Sequence, residues 1–163
     1  MSEILKGKVA IVTGSGQGIG RAVAEDLAAH GAKILVVDPG LSLDGNVENT
    51  SLADEVVAGI RKAGGEAKAN TNSVASFESG QEIVQDALDS FGGLDIVVTV
   101  AGILRDRMIF NMTEDEWHDV IDVHLTGTFS IIRHAAPIFR SQKSGRIITF
   151  SSGSGLFGNP GQS

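Results

Sequence analysis

The sequence predicts an α/β fold, a doubly wound parallel sheet in a three-layer α/β/α sandwich. Three observations predict it. Short apolar runs, mostly β-branched, alternate with segments of helical periodicity along all 163 residues. Glycines stand between those segments singly or in pairs, as punctuation. Strands joined through helices of this length make right-handed crossovers, which forces parallel pairing and covers both sheet faces.

Taken in order, Val9-Ala-Ile-Val12 reads as a buried strand. A glycine-rich turn follows, then a helix from about Ile19 to His30 that Gly31 closes. Ile34-Leu-Val-Val37 is a second buried strand ending at Asp38. Residues 39–50 read as a polar loop, long for a compact domain and therefore a functional or flexible insert. Ser51-Leu-Ala-Asp54 has the spacing of a capping box and opens a helix with Leu52, Val56 and Ile60 near one face. Gly64-Gly65 ends it, and Glu66 to Asn70 is a weak strand.

The next helix runs from about Phe77 to Phe91 with Val84, Ala87, Leu88 and Phe91 on one stripe. Leu94 to Val100 is a third strong strand. Thr113-Glu-Asp-Glu116 is another capping box, starting a long helix with Trp117, Val120, Ile121 and Leu125 on one side. Arg146 to Phe150 is the fifth strand, with a Gly/Ser-rich loop after it. No repeat and no composition shift divides the chain, so residues 1–163 read as one domain.

Composition excludes several function classes. Net charge is −7 with no basic cluster, which argues against nucleic acid or an anionic membrane as partner. Without cysteine there are no disulfides, thiol nucleophiles or thiolate metal sites. His30, His118, His124 and His134 have no pair at helical spacing, so no metal site is expected. No apolar stretch approaches the roughly 20 residues of a membrane span, and no apolar run marks a secretory leader. The expected location is the cytoplasm.

The chemistry begins at Thr13-Gly-Ser-Gly-Gln-Gly-Ile-Gly20, between the first strand and the first helix. Glycine lets the chain turn tightly and lets phosphates approach bare backbone. The helix start then offers unpaired N–H groups and the positive end of its dipole to a diphosphate. Asp38 ends the next strand, eighteen positions beyond Gly20, near the spacing of a ribose-binding carboxylate. Its alternative reading is a merely solvated strand end. A ribose-binding carboxylate would also select the cofactor, because it would face the 2′-phosphate of NADP. Two unit charges about 4 Å apart repel by roughly 4 kcal/mol at an effective dielectric near 20. A third of that still favours NAD about tenfold.

The spacing Thr-Gly-x-x-x-Gly-x-Gly resembles the short-chain dehydrogenase/reductase family, whose Rossmann fold matches the expected sheet. Ala101-Gly102 looks like the end of the family's Asn-Asn-Ala-Gly motif, and Arg146 to Ser152 like the strand that delivers its catalytic serine. The likeness covers nearly the whole chain. Within the family it is greatest to the dehydrogenase part of peroxisomal multifunctional enzymes and their bacterial relatives, a branch acting on (3R)-hydroxyacyl-CoA. The insert after Asp38, Asn72-Ser-Val74, residues 102–107, Val123-His-Leu125 and residues 158–162 carry that likeness.

The resemblance implies that Gly14, Gln17, Gly18, Ile19 and Gly20 hold the pyrophosphate of NAD, and that Asp38 takes the adenosine ribose. Ser73 and Val74 would flank the adenine. Val100, Ala101 and Gly102 would lie along the nicotinamide end. Ser152 would hydrogen-bond the oxygen of a small hydroxyl or carbonyl substrate while hydride moves to or from the nicotinamide. The complete protein would be a homodimer or homotetramer paired through its long helices.

Departures from the family pattern raise further expectations. The chain has no tyrosine, and by family spacing the catalytic tyrosine and its lysine fall just beyond Ser163. The 163 residues are therefore expected to be inactive alone, and poorly soluble, with residues 147–150 as an exposed apolar edge. Thr99-Val100 stands where two asparagines are usual; threonine replaces some of the hydrogen bonding, valine none. His124 stands where many members have a proton-relaying asparagine; it either serves catalysis or is simply satisfied by a backbone carbonyl. Met108, Met112 and Trp117 read as packing or as the rim of the substrate mouth. Arg105-Asp-Arg107 reads as a solvated loop or as a contact for a CoA phosphate. Two function classes stay open: an NAD-dependent dehydrogenase, and a non-catalytic dinucleotide-binding module. A Rossmann-type methyltransferase fits poorly, since the turn spacing and the Ser152 strand would both be coincidences.

Overall fold

The computed structural model describes residues 3–42 and 51–162; the greater part of the expected insert, residues 43–50, lies outside them. Strands β1 (Val9–Thr13), β2 (Lys33–Val37), β3 (Glu66–Asn70), β4 (Ile96–Thr99) and β5 (Arg146–Thr149) form one parallel sheet in the order β3-β2-β1-β4-β5. Helices α1 (Gly18–Ala29) and α2 (Leu52–Lys62) cover one face, and α3 (Phe77–Phe91) and α5 (Gly127–Gln142) the other.

Alternation along each strand divides the core. Ala10 and Val12 of β1 pack with Ala24 and Ala28 of α1 and Val56 and Ile60 of α2. Val9 and Ile11 pack with Ile83, Val84 and Ala87 of α3 and Ile131 and Ala135 of α5. Every residue of β1 and β4 is buried, which is why those segments read as unbroken apolar runs. Each fully buried aliphatic side chain contributes roughly 1.5–3 kcal/mol relative to exposure. The weak strand β3 forms where expected, with Ala67 buried on the α1/α2 side and Lys68 bridging Asp86 of α3.

Four local expectations change. Ser51 precedes α2 in helical geometry and its side chain makes no cap bond; its hydroxyl donates to Glu55 instead. A capping side chain needs extended backbone to reach the helix amides. The long helix after Thr113 is α4 (Glu114–Ile121), a π-helical segment (Asp122–Thr126) and α5 in succession; its capping box at Thr113 and Glu116 is intact. The Gly/Ser-rich loop holds a short helix, α6 (Gly153–Phe157), capped by Ser152. Trp117 and Met108 are exposed, so neither is a packing residue among the described residues.

The expected exposed edge is present. All four residues of β5 are exposed, with Ile147, Ile148 and the following Phe150 each more than two fifths accessible.

Candidate functional site

The strand order reverses between β1 and β4, so the crossovers leave opposite faces and open a crevice at the carboxyl ends of those strands. A cleft of about 440 Å³ lies there. Its walls include Gly14, Gln17, Gly18, Ile19, Gly20, Asp38, Ser73, Val74, Val100, Ala101 and Gly102. These are the eleven residues assigned to the dinucleotide from sequence, brought together from four separate loops.

Backbone geometry explains the turn. Gly14 (φ 64) and Gly18 (φ 55) sit in the left-handed region that favours glycine. Gly20 packs directly on the Gly14 carbonyl, leaving no room for a Cβ. Gln17 is the N-cap of α1, and its side chain does not cap the helix. The first-turn N–H groups therefore have no intrahelical acceptor where the helix meets the cleft.

Two hydroxyls fix the turn to its neighbours, and sequence reasoning gave neither a role. The Ser15 hydroxyl donates to the Val12 carbonyl (2.6 Å) and accepts from the Val37 amide (3.1 Å). Thr13 Oγ1 accepts from the amides of Val100 and Ala101, 3.2 Å each, tying β1 to the segment after β4. Apart from the Ser15–Val12 bond, these contacts join residues more than twenty positions apart, beyond the reach of a local pattern. Val37, Pro39, Leu41, Ser42, Ile103 and Val123 also line the cleft and were not foreseen.

Asp38 is not a solvated strand end. It is 5% exposed, Oδ2 accepting from the Gly16 amide (2.8 Å) and Oδ1 from the Gly40 amide (2.8 Å). The carboxylate is thus held in one orientation at the cleft wall before any ligand arrives.

His124 sits in the π-helical segment with Nε2 2.8 Å from the Ile103 carbonyl and 3.1 Å from its amide. Nε2 meets the Ile103 backbone in either tautomer, donating to the carbonyl when protonated and accepting from the amide when not. The ring packs on Gly102, where a Cβ would come within 2.5 Å of Cε1. His124 therefore packs behind the cleft wall at Gly102 and Ile103. Ser152 is exposed, outside the cleft lining, and its hydroxyl accepts from the Ser154 amide (3.2 Å).

Around the rim, Arg105 pairs with Asp119 (2.8 Å) and Arg107 with Glu116 (2.7 Å), so the loop is clasped to α4 and is not simply solvated. The Thr113 amide, together with the Arg107 guanidinium, holds the Glu116 carboxyl below its ordinary value. Thr99 Oγ1 is buried with no hydrogen-bond partner among the described residues, so threonine here does not replace an asparagine's bonding. Among the described residues no three histidine or carboxylate side chains cluster as metal ligands, and no helix is long and apolar enough to cross a membrane.

A parallel sheet with this switch point, a glycine turn and a buried carboxylate one strand over defines a dinucleotide-binding α/β domain. The comparisons narrow it: residues 8–163 match the family model for short chain dehydrogenase, and the chain belongs to that family. It is 48% identical over 96% of its length to the peroxisomal hydratase-dehydrogenase-epimerase of Saccharomyces cerevisiae. To the peroxisomal multifunctional enzyme type 2 of Mus musculus it is 46% identical, again over 96%. A crystal structure of a short chain dehydrogenase from Mycobacterium avium superposes with a TM-score of 0.89 at 47% identity, covering 98% of this chain. The chain spans 17%, 21% and 57% of those three proteins, respectively.

Proposed function

We propose that the protein is an NAD-dependent oxidoreductase interconverting a secondary hydroxyl and a carbonyl, with a 3-hydroxyacyl-CoA as the leading substrate class. The single observation that carries this reading is the convergence of all eleven assigned residues on one cleft. The cleft fits a dinucleotide: the turn is bare backbone that a Cβ at Gly14 or Gly20 would fill, and α1 points its amino end there. When bound, the nicotinamide supplies the hydride acceptor or donor.

The chain's own residues then have separate tasks. Gly14, Gln17, Gly18, Ile19 and Gly20 seat the diphosphate with backbone amides, and Asp38 takes the adenosine ribose. Ser73 and Val74 flank the adenine; Val100, Ala101 and Gly102 shape the nicotinamide end. Ser152 hydrogen-bonds the substrate oxygen, and His124 keeps the 101–103 segment in place. Support for the substrate class comes from two directions. The yeast relative's name joins a hydratase and a dehydrogenase in one protein, and hydration of a double bond makes the kind of hydroxyl a dehydrogenase oxidises. The segments at 102–107 and 158–162 resemble the (3R)-hydroxyacyl-CoA branch. We further propose that the working protein is a homodimer or homotetramer, a state sedimentation can read directly.

One observation favours a second reading, a dinucleotide-binding module without turnover: the Ser152 hydroxyl is engaged in capping α6, away from the cleft lining. The test is fluorescence titration of the full-length protein with NADH and NADPH, followed by NAD reduction with 3-hydroxyacyl-CoA and simple secondary alcohols. Tight NADH binding with turnover supports the dehydrogenase. Binding without turnover on any of them supports the module. No binding of either dinucleotide refutes both. Asp38→Asn should narrow the NADH-over-NADPH preference about tenfold.

A further inference from the structure

Gly16 stands outside the Gly14, Gly18 and Gly20 spacing, and its φ is not positive, so its backbone is open to any residue. What Gly16 lacks is a side chain, and the space is taken. It is buried, and a Cβ there would lie 2.8 Å from Cγ and Oδ2 of Asp38 and 2.8 Å from Cβ of Leu52. Its own amide donates to Asp38 Oδ2 over the same 2.8 Å. Residue 16 is therefore both the floor under the carboxylate and one of its two backbone donors.

We propose that Gly16 is a specificity-determining position: its bare Cα makes the seat that holds the Asp38 carboxylate against the turn, and any side chain there would unseat it. The inference rests on the reading that Asp38 faces the adenosine ribose. Physically, a Cβ at residue 16 cannot push Leu52 aside cheaply, because that Cβ is fixed to the first residue of α2. The Asp38 side chain can rotate, giving up the Gly16 and Gly40 amides, and its charge then leaves the place where a 2′-phosphate would meet it. Gly16→Ala keeps the amide donor, so it isolates the effect of the seat.

The experiment measures dissociation constants for NADH and NADPH by fluorescence titration of the full-length protein, as wild type, G16A, D38N and the double variant. G16A should lower the NADH-over-NADPH preference about tenfold, as far as D38N does. The double variant should match D38N alone, since the two changes act through one carboxylate. A folded G16A with the wild-type preference overturns the inference, as does a G16A effect that persists undiminished in the D38N background. D38N with the wild-type preference would sink the reading of Asp38 itself, and Gly16 with it; a shift in D38N alone leaves that reading standing. Should G16A fail to fold, D38E carries the test. It keeps the charge but puts it one methylene beyond the seat, so its preference should fall toward that of D38N, and an unchanged preference overturns the inference.

Discussion

Replacing Gly14 with alanine should destabilise the protein by about 3 kcal/mol, from two separable causes. Gly14 has φ 64, and a residue with a Cβ pays roughly 1–2 kcal/mol for that left-handed conformation. The new Cβ would also lie 2.7 Å from Ala101 Cα and 2.8 Å from its amide nitrogen. Those are backbone atoms that cannot rotate away, and overpacking of this kind typically adds 1–3 kcal/mol. For a domain of this size the total lowers Tm by roughly 6–12 °C. Gly18→Ala is the internal control: φ is 55, but nothing lies within 4 Å of its Cβ position, so only the conformational part remains. Urea unfolding of both variants, with equal m-values, isolates the steric part as their difference. The displaced Ala101 should also weaken dinucleotide binding in G14A. If the two variants unfold at the same urea concentration, the turn does not press against the 100–102 segment as described, and the explanation of Gly14 fails.

Gly59→Ala should go the other way. Gly59 is an exposed interior position of α2 with open space around it, so alanine should stabilise by about 0.5–1 kcal/mol, read as a higher urea midpoint. Thr99→Val keeps the shape but removes a buried hydroxyl that has no partner among the described residues, and should stabilise by about 1 kcal/mol in the same assay. Asp86 is pushed upward by partial burial, but hydrogen bonds from Lys68, Asn70 and Ser90 outweigh it and hold its pKa below 3.8. A lowered folded-state pKa stabilises above the unfolded value and loses that contribution as pH falls through the folded one. The stability gap between wild type and Asp86→Asn should therefore be full at neutral pH, fade below pH 3.8 and close in stronger acid, as followed by urea midpoints against pH.

The strands were legible because a parallel sheet buries both faces, which leaves runs such as Val9-Ala-Ile-Val12 with no polar interruption. Gly31 and Gly64 marked helix ends through their positive φ, a requirement local enough to show in sequence. What stayed hidden depends on partners far along the chain. Residues 122–126 carry no sign of the π-helical turn that brings His124 against Ile103. α6 is built from Gly-Ser-Gly-Leu-Phe, a poor helix former that propensity alone would leave irregular. Arg105 and Arg107 find carboxylates on α4 only once the loop folds back. Gly16 looks like one more turn glycine until Asp38 is seen beneath it.

Placing β1 at the centre of the sheet also orders the events of folding. Ser15 meets Val37 across 22 positions, whereas Val9 meets Asp95 across 86. Loop closure scales with the logarithm of length, so the second encounter costs about 1 kcal/mol more in chain entropy. The β1–β2 hairpin-free pair with α1 can assemble as an early unit, and β4 must then dock onto its open side. Mutations between β1 and β2 should therefore slow folding, whereas those at the β1–β4 seam should mainly speed unfolding, and a ribosome would release the glycine turn long before its far wall exists.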